Sequence, residues 1–435
     1  MKIKTLHLDG RTLEGGGQLI RIALALSALT NKPLTIDHIR ANRKGKKGLK
    51  ASHLAAFKFL AEVSNSVVEG AEIGSTSLSF HPPGTSAMEK RPIQQRYNIC
   101  LSTPGSVFLV LQALYPYLLH AGGLASVREA IRVDITGGTN VSFSPSFDYI
   151  AQVLCPNLGR LGLPRLSVEL DKRGWGTGPK DLGTVSCFIH PASAGERPER
   201  ASDYGFPSID LHSHVRGKVT QVDVTVLAPD NVIHARNEDK LTVREFIESE
   251  TIQELRGRLS ELPSWIFQTS DPEATVPIQI HTSERTHHPS QIYVLIVAHT
   301  STGFRIGRDA LSGETKGTST RRPKGHKKNQ CKDDETSPIQ QLIKRCIDRF
   351  LNELYNPSLK GEHSHQPGQH QPCVDEYMRD QLVIFEALGK VSSPREEEEQ
   401  DGESRTNTTT EDDRYWSLHT QTARWVCEQV LGVEW

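Results

Sequence analysis

Hydrophobic and polar positions alternate over residues 3–8 and stop at Asp9-Gly10, which predicts a strand running into a turn. The next apolar positions, Leu19, Ile20, Ile22, Ala23, Leu24, Leu26 and Leu29, fill a helix that Pro33 ends. Residues 34–39 read as a second strand, and 49–63 as a second helix with Leu54, Phe57, Leu60 and Ala61 on one face. Two further strands follow at 67–73 and 77–80, so the order is β-α-β-α-β-β.

That order recurs. A strand at 97–101 leads to a helix at 105–119, opened by Pro104-Gly105-Ser106. A strand at 131–135 runs into Gly137-Gly-Thr139, a helix covers 147–161, and strands at 166–170 and 184–189 close the unit. The pattern predicts an α/β protein with two helices on one face of each sheet. From about residue 191 the texture changes: a cleanly alternating strand at 219–226, helices at 243–259 and 339–354, and an apolar strand at 292–297. This segment, 191–372, reads as an inserted smaller α/β domain, with 1–190 and 373–435 forming one larger, discontinuous domain. Two stretches, 314–337 and 390–414, are too polar to bury enough apolar area to offset their ordering cost, and read as disordered. The first contains Arg321-Arg-Pro-Lys-Gly-His-Lys-Lys328, a nuclear localisation pattern that reads equally as a solvated loop.

Composition narrows the partners. The formal charge is -1, so contact with nucleic acid must come from a local patch. Seven scattered cysteines form no CxxC pair, which fits a reducing compartment. The first ten residues lack a signal peptide's apolar core, and no stretch reads as the ~18 apolar residues of a membrane span. A soluble intracellular protein is expected, without a membrane partner.

Four stretches carry candidate chemistry. Trp416-Ser-Leu-His419-Thr-Gln-Thr422 places a histidine at the start of a helix that Thr420 or Thr422 is expected to cap. A neutral imidazole beside a helix's positive end is suited to attack an arriving phosphate. Tyr377, Asp380 and Gln381 fall at i, i+3 and i+4 of a helix, so a phenol, a carboxylate and an amide share a face that can grip a nucleotide. Glu14-Gly-Gly-Gly-Gln18 is a glycine-rich turn into a helix; its N–H groups can cradle phosphate, and Glu14 can hold a divalent cation. Residues 40–50 hold six basic side chains in eleven, Arg40 and Arg43 among them, and lead to His53, with Arg21 expected nearby on the first helix. In a chain of near-zero net charge this run predicts a polyanion site. Taken singly, each stretch also has a plain reading as a turn, a packed side chain or a solvated face. Two histidine clusters, His212-Ser-His214 and residues 363–370, lack the ligand sets of metal sites.

Together these residues resemble the RNA 3'-terminal phosphate cyclase family in its eukaryotic form. The likeness is carried by Leu8-Asp-Gly10, Glu14-Gly-Gly-Gly-Gln-Leu-Ile-Arg21, Ile39-Arg-Ala-Asn-Arg43, Gly137-Gly-Thr-Asn140, Val374-Asp-Glu-Tyr-Met-Arg-Asp-Gln-Leu382 and Leu418-His-Thr-Gln-Thr-Ala423. The resemblance implies three β-α-β-α-β-β units in the large domain and a thioredoxin-like insert. It implies ATP as a substrate, Mg or Mn as divalent cation, and an RNA with a 3'-phosphate end as partner. His419 is then the residue that becomes adenylylated before AMP passes to the RNA phosphate and the 2'-hydroxyl closes a 2',3'-cyclic phosphate. Gln112, Pro145, Tyr377, Asp380 and Gln381 are implied around the adenylate, Glu14 at the metal, and Arg21, Arg40, Arg43 and His53 at the RNA phosphates. Asn42 stands where that family usually has glycine. A nuclear location is expected. The alternative is a cyclase-like protein that binds pre-ribosomal RNA without turnover.

Overall fold

A computed structural model of the chain describes residues 4–43, 45–83, 92–125, 127–191, 202, 204–234, 240–269, 276–313, 337–355, 371–391 and 416–435. It divides into two compact units, one of residues 1–174, 181–216 and 368–435, the other of residues 175–180 and 217–367.

The repeat in the first unit extends to strand order. In one sheet β1 (Leu6–Asp9) and β2 (Leu34–Asp37) pair in parallel, while β4 (Leu78–His81) lies antiparallel to both β2 and β3 (Val67–Glu69), giving β1-β2-β4-β3. The second sheet has the same order and senses. There β5 (Arg96–Cys100) is parallel to β6 (Ile131–Gly137), and β8 (Gly183–Ile189) is antiparallel to β6 and to β7 (Leu166–Lys172). A parallel pair needs a crossover, and helices α1 (Gly17–Thr30) and α3 (Val107–Leu124) supply it. Helix α2 (Ala51–Val63) precedes the antiparallel return in the first sheet. In the second, the return follows α4 (Phe147–Tyr149), a π-helical turn (Ile150–Leu154) and α5 (Cys155–Arg160). The single helix expected over 147–161 is interrupted because Pro156 has no N–H and its ring crowds the carbonyl four residues back, so Cys155 N–H reaches back to Ile150 O.

Two more helices, α8 (Glu376–Lys390) and α9 (Leu418–Leu431), belong to this unit. Among the described residues of this unit there is no strand of a third sheet. Helix α1 is buried from Gly17 to Leu29 because α2, α3 and α9 all pack on it. Sequence reading expected no stretch fit to span a membrane. Helix α3 does meet that standard in length and composition, with a mean hydropathy of 1.4, but 72% of it is buried inside the protein. It is apolar because it is a core helix.

In the second unit the sheet order is β12-β9-β13-β14. Strand β9 (Val219–Pro229) is parallel to β12 (Ile278–Thr286) and antiparallel to β13 (Tyr293–Thr300), which pairs with β14 (Arg305–Leu311). Helices α6 (Val243–Ser260) and α7 (Pro338–Leu354) contribute Ile247, Leu255, Ile343, Ile347 and Phe350 to a core shared with Val222, Val224, Ile296 and Ile306. A small hairpin joins β10 (Val232–His234) to β11 (Lys240–Thr242).

This unit starts at Gly217 in its main segment, later than the residue 191 read from the sequence. The reason is packing: Phe206 and Ile209 are buried, and the Phe206 ring lies 5.9 Å from that of Phe385 on α8. Of the stretches 314–337 and 390–414, read as disordered, residues 314–336 and 392–414 lie outside the described residues, as do the basic run 321–328 and the histidines at 363–370; Ser337 instead caps the helix that begins at Pro338, and Lys390 ends α8.

Candidate active site

The site is built around the start of α1. The turn before it is tight: Gly15 has φ +57, and a Cβ there would strike the Gly10 carbonyl. Gly16, the N-cap of α1, offers no side chain to cap the helix, and the Glu14 carboxylate takes the Gly16 N–H at the helix's positive end. Gly17 matters for a different reason. A Cβ on it would sit 2.6 Å from Arg21 Nη1 and 2.9 Å from His53 Nε2, so its bare backbone lets those two side chains come close.

Arg21 is buried and held by two side-chain amides. Its Nε donates to Gln112 Oε1 at 2.6 Å and its Nη2 to Gln18 Oε1 at 2.7 Å, one turn back along the helix. Gln18 Nε2 in turn donates to the Asp380 carbonyl at 3.4 Å. Burial lowers the guanidinium pKa to about 10, with Asp380 opposing the shift, so Arg21 stays charged at neutral pH. Glu14 is buried on the same side. Its carboxylate pairs with Arg43 and accepts the Gly16 N–H at 2.9 Å, while its own N–H donates to Thr422 Oγ1 at 3.1 Å.

Helix α9 brings His419. Sequence reading put the cap of this helix at Thr420 or Thr422; it is Ser417, whose side chain accepts the Thr420 N–H at 3.1 Å, and the helix begins at Leu418. Thr422 is occupied elsewhere, holding the Glu14 N–H. His419 is exposed on its outer side, but the protein around it removes enough water to lower its pKa. Arg43 and Arg21 add to that, and Asp380 opposes it. The imidazole is therefore neutral at neutral pH, as a nucleophile must be. The half-buried Asp380 is shifted the other way: desolvation raises its pKa, against the pull of His419, a 2.9 Å hydrogen bond from Gln381 Nε2, and Arg21. The two groups influence each other and belong to one site.

The basic loop stands next to it. Arg40 has φ +60, and its N–H donates to Gly15 O at 2.9 Å, which ties the loop to the glycine turn. Asn42 Nδ2 donates to the Arg11 carbonyl, fixing the other side of that turn. The buried Arg40 Nε has no hydrogen-bond partner among the described residues, and burial lowers the pKa of both Arg40 and Arg43. Buried cationic donors without full partners are what an arriving anion would satisfy. His53, implied at the RNA phosphates, lies against Gly17 at the start of α1. Burial, with Arg21, Arg40 and Lys50, lowers its pKa to about 3, so it is neutral. Its Nδ1 accepts the Lys50 N–H at 3.3 Å, which puts the remaining proton on Nε2, facing Gly17. It can donate one hydrogen bond, without charge.

Tyr377 and Pro145 lie on adjoining elements. Tyr149 of α4 donates to Asp375 Oδ1 at 2.5 Å, and its ring stands edge-on to Tyr377 with centroids 6.0 Å apart. Pro145 is in the loop that leads into α4. Asp375 also caps α8 by accepting the Met378 N–H at 3.0 Å, so it orients the helix that presents Tyr377, Asp380 and Gln381. The contacts that Gln18, Tyr149, Asp375 and Thr422 make here were not read from the sequence. Gln18 had a signal, standing one helical turn before Arg21; Tyr149 and Asp375 had none, being 226 residues apart. Among the described residues no group of three His, Cys, Asp or Glu side chains could hold a metal by itself.

Comparison with known proteins gives the family. The family model for RNA 3'-terminal phosphate cyclase matches residues 12–435. An RNA 3'-terminal phosphate cyclase of Thermococcus onnurineus is 30% identical over 425 residues, 98% of this chain and 93% of that protein. The protein of that name from Desulfurococcus amylolyticus is 42% identical over 213 residues, 48% of this chain and 54% of its own. That from Thermococcus gammatolerans is 40% identical over 186 residues, 43% and 48% respectively, so these two matches span about half of each relative. With the match running from the turn before α1 through α9, the chain belongs to the RNA 3'-terminal phosphate cyclase family.

Proposed function

We propose that this chain converts an RNA 3'-phosphate to a 2',3'-cyclic phosphate at the expense of ATP, with His419 as the nucleophile. The observation that carries the reading is a neutral histidine on α9 in the electrostatic company of Asp380, Arg21 and Arg43. In the first step the His419 nitrogen bonds to the α-phosphorus of ATP as the bond to the pyrophosphate oxygen breaks. An oxygen of the RNA 3'-phosphate then displaces the histidine. Finally the 2'-hydroxyl attacks the 3'-phosphorus, AMP leaves, and the hydroxyl proton passes to water. Each step is a displacement at phosphorus, helped by positioning and fixed positive charge.

Tyr377, Gln381 and Pro145 would hold the adenylate, with Asp380 against its sugar and Gln112 keeping Arg21 aimed at the phosphates. Arg40, Arg43 and the neutral donor His53 would take the RNA end phosphate. A divalent cation would be held by Glu14 together with the nucleotide's own phosphate oxygens, since Mg²⁺ commonly takes one or two carboxylates plus phosphates. When bound, it supplies neutralisation of phosphate charge.

The test is product analysis with a 3'-phosphorylated oligonucleotide, ATP and Mg²⁺. The expected product resists phosphatase, and an oligonucleotide ending in a 2'-deoxy nucleotide stops at the adenylylated form. Recovery of the starting 3'-phosphate from the ribose substrate would contradict the proposal and leave RNA binding without turnover.

A further inference from the structure

Phe143 is the most exposed large apolar side chain among the described residues, at 78%, and its backbone lies in the left-handed region at φ +60. For a bulky residue that conformation is strained, and here no burial of the ring offsets it. The loop that imposes it is held firmly. Thr139 and Asn140 N–H donate to Gly174 O at 2.8 and 2.9 Å, and Ser144 Oγ donates to Val141 O at 2.8 Å. Beyond it, Phe147 N–H donates to Thr139 O at 3.1 Å and Ser146 caps α4. The ring is thus fixed outward by a rigid frame rather than left on a loose tip.

The same loop carries Pro145, and the helix it enters places Tyr149 against Tyr377 and Asp375. One flat ring is far too small for a protein interface, which takes about 800 Å² per partner, but it matches the area of one base. We propose that Phe143 is a stacking platform for the terminal nucleobase of the RNA, a contact that selects the end of the strand without reading its sequence. This rests on the functional reading above and adds a recognition residue to it. The backbone strain is the cost of presenting the ring before the RNA arrives.

The test is equilibrium binding of a 3'-phosphorylated single-stranded oligonucleotide without ATP, so that no reaction occurs, across several salt concentrations. Phe143→Ala is expected to weaken binding about 5- to 150-fold, the range for loss of one stacked base, with an unchanged salt slope because no phosphate contact is lost. Phe143→Trp should keep the affinity. An oligonucleotide with an abasic terminal nucleotide should bind the wild type as weakly as the intact one binds Phe143→Ala, and the variant should lose nothing further. Equal affinity of wild type and Phe143→Ala for the intact oligonucleotide would overturn the proposal alone. So would a defect confined to the ATP dependence of self-labelling, which would make adenine the stacked base. No binding of RNA by the wild type would overturn the functional reading as well.

Discussion

In the proposed mechanism His419 and Asp380 set the reactivity of the site through each other and through Arg43 and Arg21. His419 must be neutral to attack, and its pKa lies below the ordinary 6.5, so labelling by ATP should persist as pH falls through 6.5 and decline only at lower pH. Arg43→Ala removes a cation that depresses this pKa, so the acidic limb of the pH–rate profile should move to higher pH. Asp380→Asn removes the charge that raises it, so the limb should move lower. Initial labelling rates between about pH 5 and 8 check both, and shifts of the same sign in the two variants would refute the assigned couplings. At this scale the sequence was informative where neighbours are local. Tyr377, Asp380 and Gln381 share a face because helical periodicity says so. The Arg21–Gln112 bond joins positions 91 residues apart and is invisible to periodicity. The protonation state of His53 was likewise not legible: sequence shows a histidine after a basic run, and burial is what leaves it uncharged.

Helices α1, α8 and α9 do the positioning, and their ends decide where the chemistry goes. Ser417 rather than either threonine caps α9, because Thr422 is turned to the Glu14 N–H. All three residues make good caps, so composition alone does not choose among them. Ser417→Ala should cost about 1 kcal/mol of stability, readable as a lowered denaturation midpoint. Asp375→Ala should cost more, about 2 kcal/mol, since it removes a cap and leaves the Tyr149 hydroxyl without its acceptor. Equal losses in the two variants would argue against the double role of Asp375. Long helices were legible at this scale because their apolar stripes are strong. Strand β12 was not, since its inner positions are only half-buried and it pairs on one side, as edge strands do. The π-helical turn before Pro156 was missed because the apolar pattern runs through it unbroken.

In the whole molecule every assigned site residue belongs to the first unit. Its two β-α-β-α-β-β sheets were legible as an order of elements, and the structure adds that their strand orders and senses are identical. The start of the second unit was not legible, because Phe206 and Ile209 commit residues after 191 to the first core. With a net charge of -1, attraction to RNA has to come from a local patch and not from the molecule at large, and the proposal assigns it to the loop at 40–50. Arg40→Ala with Arg43→Ala should weaken oligonucleotide binding and reduce the slope of log affinity against log salt by about 2, one unit per phosphate contact. An unchanged slope would remove this loop from the RNA site.

The proposed chemistry requires an imidazole nitrogen of His419 to reach the α-phosphorus of ATP. Incubation with α-³²P ATP and Mg²⁺ without RNA should leave label covalently on the wild-type protein, and His419→Ala, folded as judged by circular dichroism, should take none. Label retained in that variant would place the nucleophile on another residue and contradict the account.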